Sequence, residues 1–445
     1  MYGHPELSLR WDWESAPLVR AAEHRATWAR LEIFVGQDCV TLVEDSESQS
    51  SRRAIYCSLY PLAEWIAYNW WFLRADARPT PELARLSQRL VEPDVVARTG
   101  LSRHSLQSAG DGFAWPHVLL VPEGQSTRVV WRRDEHIQPG RPVRFLSQGE
   151  ALLDSPVVER VLSSLVEAVL IRLAEQGVTN TALEKEWSEV RRVDKDEEEF
   201  CLAAARLGLD PYSEAIEIES DILRASEELS GNIFGDFLDA VSPRRIGAAL
   251  DWIASAGRLI NASARRVDGS VSGLRSHTAR RTEAQNARPW ERGWRQASEV
   301  RELLGVSPVD AFAIDDLVES RTQRTDDRGL QAVGGTDSEV KPVVVLGRQQ
   351  PKETKRFTLA RALWHVLYEE DALFLVTSAY TDRQKTERAF AAELLAPARG
   401  VTERLEGALD VVLSEDLEQV ARHFRVSPMV VYHQVENQLS ASIVG

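Results

Sequence analysis

The chain has 445 residues, 43% hydrophobic and 27% charged, with a formal net charge of -15. That length suits two or three globular domains, and the acidic balance argues against broad, sequence-independent nucleic-acid binding without excluding a local basic patch. Three cysteines, Cys39, Cys57 and Cys201, are far apart and odd in number, which supports neither a disulfide framework nor a cysteine zinc site. A reducing cytoplasm is the expected setting. The opening MYGHPELSLRWDWES lacks the basic start and apolar run of a signal peptide. No uncharged apolar stretch reaches about 18 residues, so no membrane partner is expected.

In chain order, residues 28–43 (WARLEIFVGQDCVTLV) hold two β-rich runs around Gly36, Gln37 and Asp38 and predict a hairpin. RRAIYCSLY at 52–60 is a third strand. Pro61 then opens LAEWIAYNWWFLR, a helix that is apolar over most of its surface and so buried. Residues 115–123 and 127–132 predict a strand pair, and PGRPVRF at 139–145 a turn and short strand. Residues 1–150 thus read as a small α+β sensor or docking domain. Six of the thirteen tryptophans fall in the first 71 residues. Trp65, Trp70 and Trp71 are either aromatic core or an aromatic pocket or interface.

From Pro156 the hydrophobic period changes. Val157, Val161, Leu162, Leu165, Val169 and Leu173 recur at helical spacing up to Gly177. Helical patterns continue over 197–209, 213–230 and 231–257, so residues 151–263 predict an all-helical middle. The acidic run Asp196–Glu199 suits a solvated first turn. Residues 264–288, polar and rich in arginine, read as a linker or exposed loop, and Arg321 to Glu339 as a second flexible stretch. Between them, 289–308 predicts a helix and turn.

Residues 342–346 (PVVVL) form a short strand before the helix RFTLARALWHVLYEE. A second helix follows over 381–401, then a helix, a Val426–Ser427–Pro428 turn and another helix over 415–437. Residues 361–365 stand where a metallopeptidase helix carries His-Glu-x-x-His. Here they are Arg361, Ala362, Leu363, Trp364 and His365. One ligand-type residue survives, and the base position is alanine.

The stretches RFTLARALWHVLYE (356–369) and TERAFAAELLAP (386–397), with the closing helical pair, resemble the ImmA/IrrE family of metallopeptidases. The resemblance covers residues 289–445. It implies an α+β molecule ending in a zincin-like domain with a helix-turn-helix-like pair, and a substrate backbone that would pair with strand 342–346. Carried over residue by residue, the family's first zinc histidine falls on Arg361. Its catalytic glutamate falls on Ala362, the glycine before its second histidine on Trp364, and that histidine on His365. Its third ligand falls on Thr386.

A zinc-bound water needs ligands to hold the metal and a carboxylate to take its proton, and neither requirement is met at these positions. No cofactor is therefore expected. A rebuilt zinc site from His365, Glu369 and Glu387 is the alternative. Glu387 lies one residue from the expected ligand, a turn of about 100°, so a local distortion would be needed. Arg361 either pairs with Glu387 or Glu393 or lies exposed. Glu369, Glu387 and Glu393 are the expected cleft contacts.

The leading expectation is a catalytically inactive peptidase-like protein, regulatory or defence-associated, that acts through a partner protein encoded nearby. The resemblance implies a setting in transcriptional control, stress response or phage defence. One alternative is a DNA-binding transcriptional regulator using the closing pair. That segment offers Tyr432, His433, Gln434 and Asn437 but no arginine, so nucleic acid is not the favoured partner. The other alternative is a metallopeptidase with the rebuilt site. No phosphate-binding loop or nucleophile elbow is present in the sequence.

Overall fold

The structure is a computed structural model. It describes residues 6–45, 47–79, 101–135, 143–229, 231–263, 270–278, 287–335, 341–405, 412–439 and 443–444. The fold is α+β, and the chain divides into two compact units, Met1–Glu217 and Ile218–Gly445. The helical stretch 151–263 is shared between them.

In the first unit Trp28–Val35 is the centre of an antiparallel sheet. It pairs with Leu7–Trp13 on one side and with Asp38–Cys39 and Ile55–Ser58 on the other. The predicted hairpin and third strand are present. Leu7–Trp13 is an additional strand. A second antiparallel sheet holds His117–Glu123, Ser126–Arg132 and Gly149–Asp154. Val143–Phe145 pairs with Val43–Asp45, while the turn expected at 139–142 lies outside the described residues.

Pro61 does sit in the first turn of a helix, but the helix covers only Tyr60–Tyr68 and breaks at Asn69 before Trp70–Ala75. The Asn69 side chain donates to the Trp65 carbonyl at 2.8 Å, an interaction that competes with helix continuation. The long amphipathic helix is Ser155–Glu175, with Leu162, Leu165, Val166, Val169 and Leu173 buried. Two helices follow. Ala182–Arg192 is capped by Thr181, and Lys195–Arg206 by Asp194. Trp65, Trp70 and Trp71 belong to this unit's core, and Trp70 meets Trp187 edge-on at 5.0 Å. Their burial corrects the pocket-or-interface reading, since these indoles pack against the protein's own side chains.

In the second unit a four-stranded sheet runs in the order Glu319–Thr322, Val343–Leu346, Leu330–Gly335, Leu373–Thr377. The first pair is parallel and the others are antiparallel. Val343–Leu346 is therefore an inner strand with both edges paired, which corrects the expectation that a substrate backbone would align there. Of the stretch expected as flexible, residues 321–335 are described, and they are ordered into sheet and turn, while 336–339 lie outside the described residues. The described part supplies one strand end and a whole strand, because Leu330, Ala332 and Val333 supply buried apolar contacts among polar neighbours.

Val344, Leu346, Ala332, Phe374 and Val376 share a core with the motif helix Lys352–Tyr368. The alternate residues Val343, Val345, Val333 and Leu375 are also buried, as a sheet covered on both faces requires. Helix Ile246–Ser263 packs on strands Leu330–Gly335 and Val343–Leu346. Part of the stretch expected as linker, Ser270–Thr278, is a helix against the motif helix, and buries Val271 and Leu274. Its two apolar residues three apart are too short a signal to stand out among arginines.

Helix Asp382–Leu395 packs on the motif helix and on Pro289–Leu303. The last contact is very close. A Cβ added at Gly293 would lie 2.3 Å from the Thr386 carbonyl oxygen and 2.8 Å from the Phe390 nitrogen. Only a glycine lets the two helices approach this far. The closing pair is Ser414–Phe424 and Pro428–Gln434. Among the described residues, no helix is long and apolar enough to cross a membrane.

Candidate functional site

The motif helix runs through the core, and its residues 358–367 are all buried. Such a helix carries polar side chains only if each finds a partner. Arg361 does so with its whole guanidinium. Nε donates to Glu387 Oε1 at 2.7 Å, Nη1 to Gln331 Oε1 at 2.6 Å, and Nη2 to the Thr377 carbonyl at 2.7 Å and Gln384 Oε1 at 2.8 Å. Nη2 also contacts Glu387 Oε1. The side chain is 3% exposed, which excludes the exposed alternative.

His365, one turn on, is fully buried and sets Nε2 2.5 Å from Glu387 Oε2. Its ring stacks on Phe374 with centroids 4.7 Å apart and planes 7° from parallel. The other ring nitrogen, Nδ1, has no hydrogen-bond partner. Arg361 and His365 therefore hold the two oxygens of one carboxylate. Burial alone would raise the Glu387 carboxyl, but the charge of Arg361, then that of His365, outweighs it and holds it below the usual carboxylate range.

Glu387 reaches this point from a regular helix, so the expected distortion is not needed. The helix register, fixed in part by the Gly293 contact, turns residue 387 inward. Thr386 donates to its own helix at the Asp382 carbonyl, 2.8 Å away. The other expected cleft residues lie elsewhere. Glu369 meets Arg383, with Oε2 3.2 Å from Nη2. Glu393 accepts from Gln434 at 2.8 Å, Gln438 at 2.9 Å and the Ala398 amide at 3.1 Å, and so ties the closing helices to the domain. Trp364 does not fill a cleft. Its indole donates to Gln296 Oε1 at 2.8 Å and stacks on Tyr368. Ala362 is fully buried among apolar residues.

Three residues that the sequence reading passed over complete the network. Gln384 accepts from the Thr377 amide at 3.1 Å and donates to the Leu375 carbonyl at 3.2 Å. Its carboxamide thus bonds the outer edge of strand Leu373–Thr377 as a neighbouring strand's peptide group would. Asp236, from helix Gly231–Ala240, accepts from Gln384 at 3.2 Å and from Thr381 Oγ1 at 2.9 Å, and lies 3.2 Å from Arg383 Nη1. Burial pushes the Asp236 carboxyl up, against the opposing pull of Arg383. Arg388 donates to the Thr377 carbonyl at 3.1 Å and lies over the Tyr380 ring. Burial first, then the like charge of Arg361, lowers Arg388 to about 10. No spacing rule in the sequence marks these residues, whose partners are set by the tertiary fold.

Residues 316–436 match the model of the IrrE N-terminal-like domain, a peptidase family. The C-terminal third of the chain therefore carries an ImmA/IrrE-like peptidase domain. No match is found among curated proteins. Such a fold implies zinc, and the residues present do not fit it. A guanidinium, which carries no lone pair for a metal and keeps its proton at ordinary pH, already occupies the carboxylate that His365 holds. Among the described residues, no three His, Cys, Asp or Glu side chains form a metal-ligand set. The alternative set fails in particular because Glu369 is drawn away by Arg383.

Proposed function

We propose that the C-terminal unit is a non-catalytic peptidase-like domain, and that the protein works by binding, in a regulatory or defence setting, through contacts with a partner protein. The observation that carries this reading is the Arg361–Glu387–His365 cluster. It puts a fixed cation beside the one remaining histidine and leaves no carboxylate at position 362 to take a proton from water. The strand edge bonded by Gln384 adds support, because an extended peptide would have to displace that carboxamide before it could align. DNA binding through the closing pair is less well supported. Pro428–Gln434 carries no arginine or lysine, and its Gln434 is committed to Glu393.

The test is elemental analysis of protein purified without a metal-binding tag, beside His365→Ala, with a general peptidase assay. We expect no stoichiometric zinc in either and no turnover. About one zinc per chain, lost in the variant together with peptide cleavage, would overturn the proposal.

A further inference from the structure

The sequence carries many arginines on a net acidic chain, and the fold gathers four of them at one place. Beyond the carboxyl ends of the parallel strands Glu319–Thr322 and Val343–Leu346 lies a cleft of about 830 Å³. Arg245, Arg324, Arg328 and Arg348 line it, and among the described residues Asp326 is the single lining carboxylate. Asp326 is too weakly placed to neutralise them. It lies 3.5 Å from Arg245 and 3.9 Å from Arg324, and all three side chains are at least half exposed. Among the described residues Arg348 reaches only the Arg328 carbonyl, at 3.4 Å, and no carboxylate pairs with Arg328 or Arg348.

The walls are fixed by backbone contacts. The parallel pairing continues past the strand ends, with the Gln323 amide donating to the Leu346 carbonyl at 3.0 Å and the Thr325 amide to the Gly347 carbonyl at 2.8 Å. A Cβ at Gly347 would lie 2.8 Å from Thr325 Cγ2. The buried Asp327 accepts from the Ser242 amide and the Gly329 amide, both at 2.8 Å. It thereby ties the turn that carries Arg245 to the loop that carries Arg324 and Arg328. Arginines mounted on pinned backbone have less to lose on binding than arginines on a loose loop.

Gathering like charges at one cleft is unfavourable unless an anion joins them. Guanidinium forks match phosphate oxygens two at a time. Among the described residues no aromatic side chain lines the cleft, so they offer a base no stacking face. The volume lies within the range of about 300–1,000 Å³ common for small-ligand sites. We propose that this cleft binds a phosphate-bearing anion through Arg245, Arg324, Arg328 and Arg348, without reading the base. The phosphates come either from a nucleoside triphosphate or from a run of nucleic-acid backbone.

The experiment uses the full chain and fluorescence anisotropy. A fluorescein-labelled oligonucleotide of mixed sequence and a fluorescent ATP analogue are titrated separately at low salt. We expect at least one probe to bind, and the probe that binds identifies the source of the phosphates. Arg328→Glu combined with Arg348→Glu should weaken that binding at least about tenfold with an unchanged melting temperature, and lower the salt dependence of oligonucleotide binding if that is the ligand. Arg399→Glu, on an exposed helix face, should leave binding intact. If the double variant fails to fold, Arg348→Gln alone should still weaken binding measurably. Failure of both probes to bind, or equal loss in Arg399→Glu, or no loss in either cleft variant, would overturn the proposal.

Discussion

Arg361 donates from Nε to the Glu387 carboxylate at 2.7 Å, and neither side chain is more than 3% exposed. The pair joins two helices of the peptidase-like domain at the level where the family places its metal. Under the non-catalytic reading proposed above, one cation takes the place of another. A divalent ion draws its ligands together by charge, and a buried guanidinium does the same for a carboxylate and a set of carbonyl oxygens.

Breaking this pair from one side should cost far more than removing both partners. Glu387→Ala would leave the Arg361 charge buried without its counter-ion, and should lower stability by about 3–5 kcal/mol. Arg361→Met combined with Glu387→Leu should cost clearly less, because no charge is stranded. Urea unfolding of the two variants decides the matter. Equal losses would mean that packing volume, not charge pairing, governs the site.

Position 361 is also where one substitution should restore a metal set. With Arg361→His, two histidines four apart would converge with Glu387, the donor types of a zinc peptidase. We expect this variant to take up about one zinc per chain and to unfold at higher temperature with zinc than with a chelator. It should remain inactive until Ala362→Glu supplies a base. No uptake by a folded Arg361→His protein would show that the helices sit too far apart for a shared ion.

Gln384 closes the edge of strand Leu373–Thr377 with a single carboxamide. Gln384→Leu should leave the Thr377 amide and the Leu375 carbonyl without that partner, at a cost of about 1–3 kcal/mol. Hydrogen exchange at the Thr377 amide should accelerate in the variant while the inner strand Val343–Leu346 keeps its protection. Unchanged exchange at Thr377 would mean that another group covers the edge.

Acid should act on the two buried carboxylates in opposite directions. Glu387 is held below its ordinary value of 4.5, so its stabilising contribution is present above that pH and is lost as pH falls through the lower folded value. Asp236 is raised above its ordinary 3.8, so its contribution is present below that pH and is lost as pH rises through the higher folded value. Unfolding free energies across the acid range should therefore fall less steeply for Glu387→Gln than for wild type. They should fall more steeply for Asp236→Asn. The reverse order would contradict both assignments.

The parts of this domain written in local pattern were legible in the sequence. The motif helix, the strand at 342–346 and the closing pair around Ser427–Pro428 all follow from spacing and turn chemistry, and the family match falls on the same segments. For Arg361 the sequence leaves open a pairing with Glu387, a pairing with Glu393 or exposure to solvent, and the structure selects Glu387. The choice between Thr386 and Glu387 as the inward residue was not legible, because helix register depends on Gly293, about ninety residues earlier in the chain. Strand Leu373–Thr377 is a five-residue apolar run, too short to assign by period. Leu7–Trp13 does alternate apolar with polar residues, a strand signal hidden behind its tryptophans. The arginine cleft draws on segments a hundred residues apart, which no local reading joins.

A metal ion bound by side chains has a dissociation constant, and its occupancy follows supply. The positive charge at position 361 has none. It is made with the chain, arrives in the nascent domain at a fixed one-to-one ratio, and cannot be stripped by a chelator or exchanged for a competing ion. Its cluster with Glu387 and His365 therefore draws its cation from translation and not from the cell's metal pool, so this contact would hold equally in metal-starved and metal-replete surroundings.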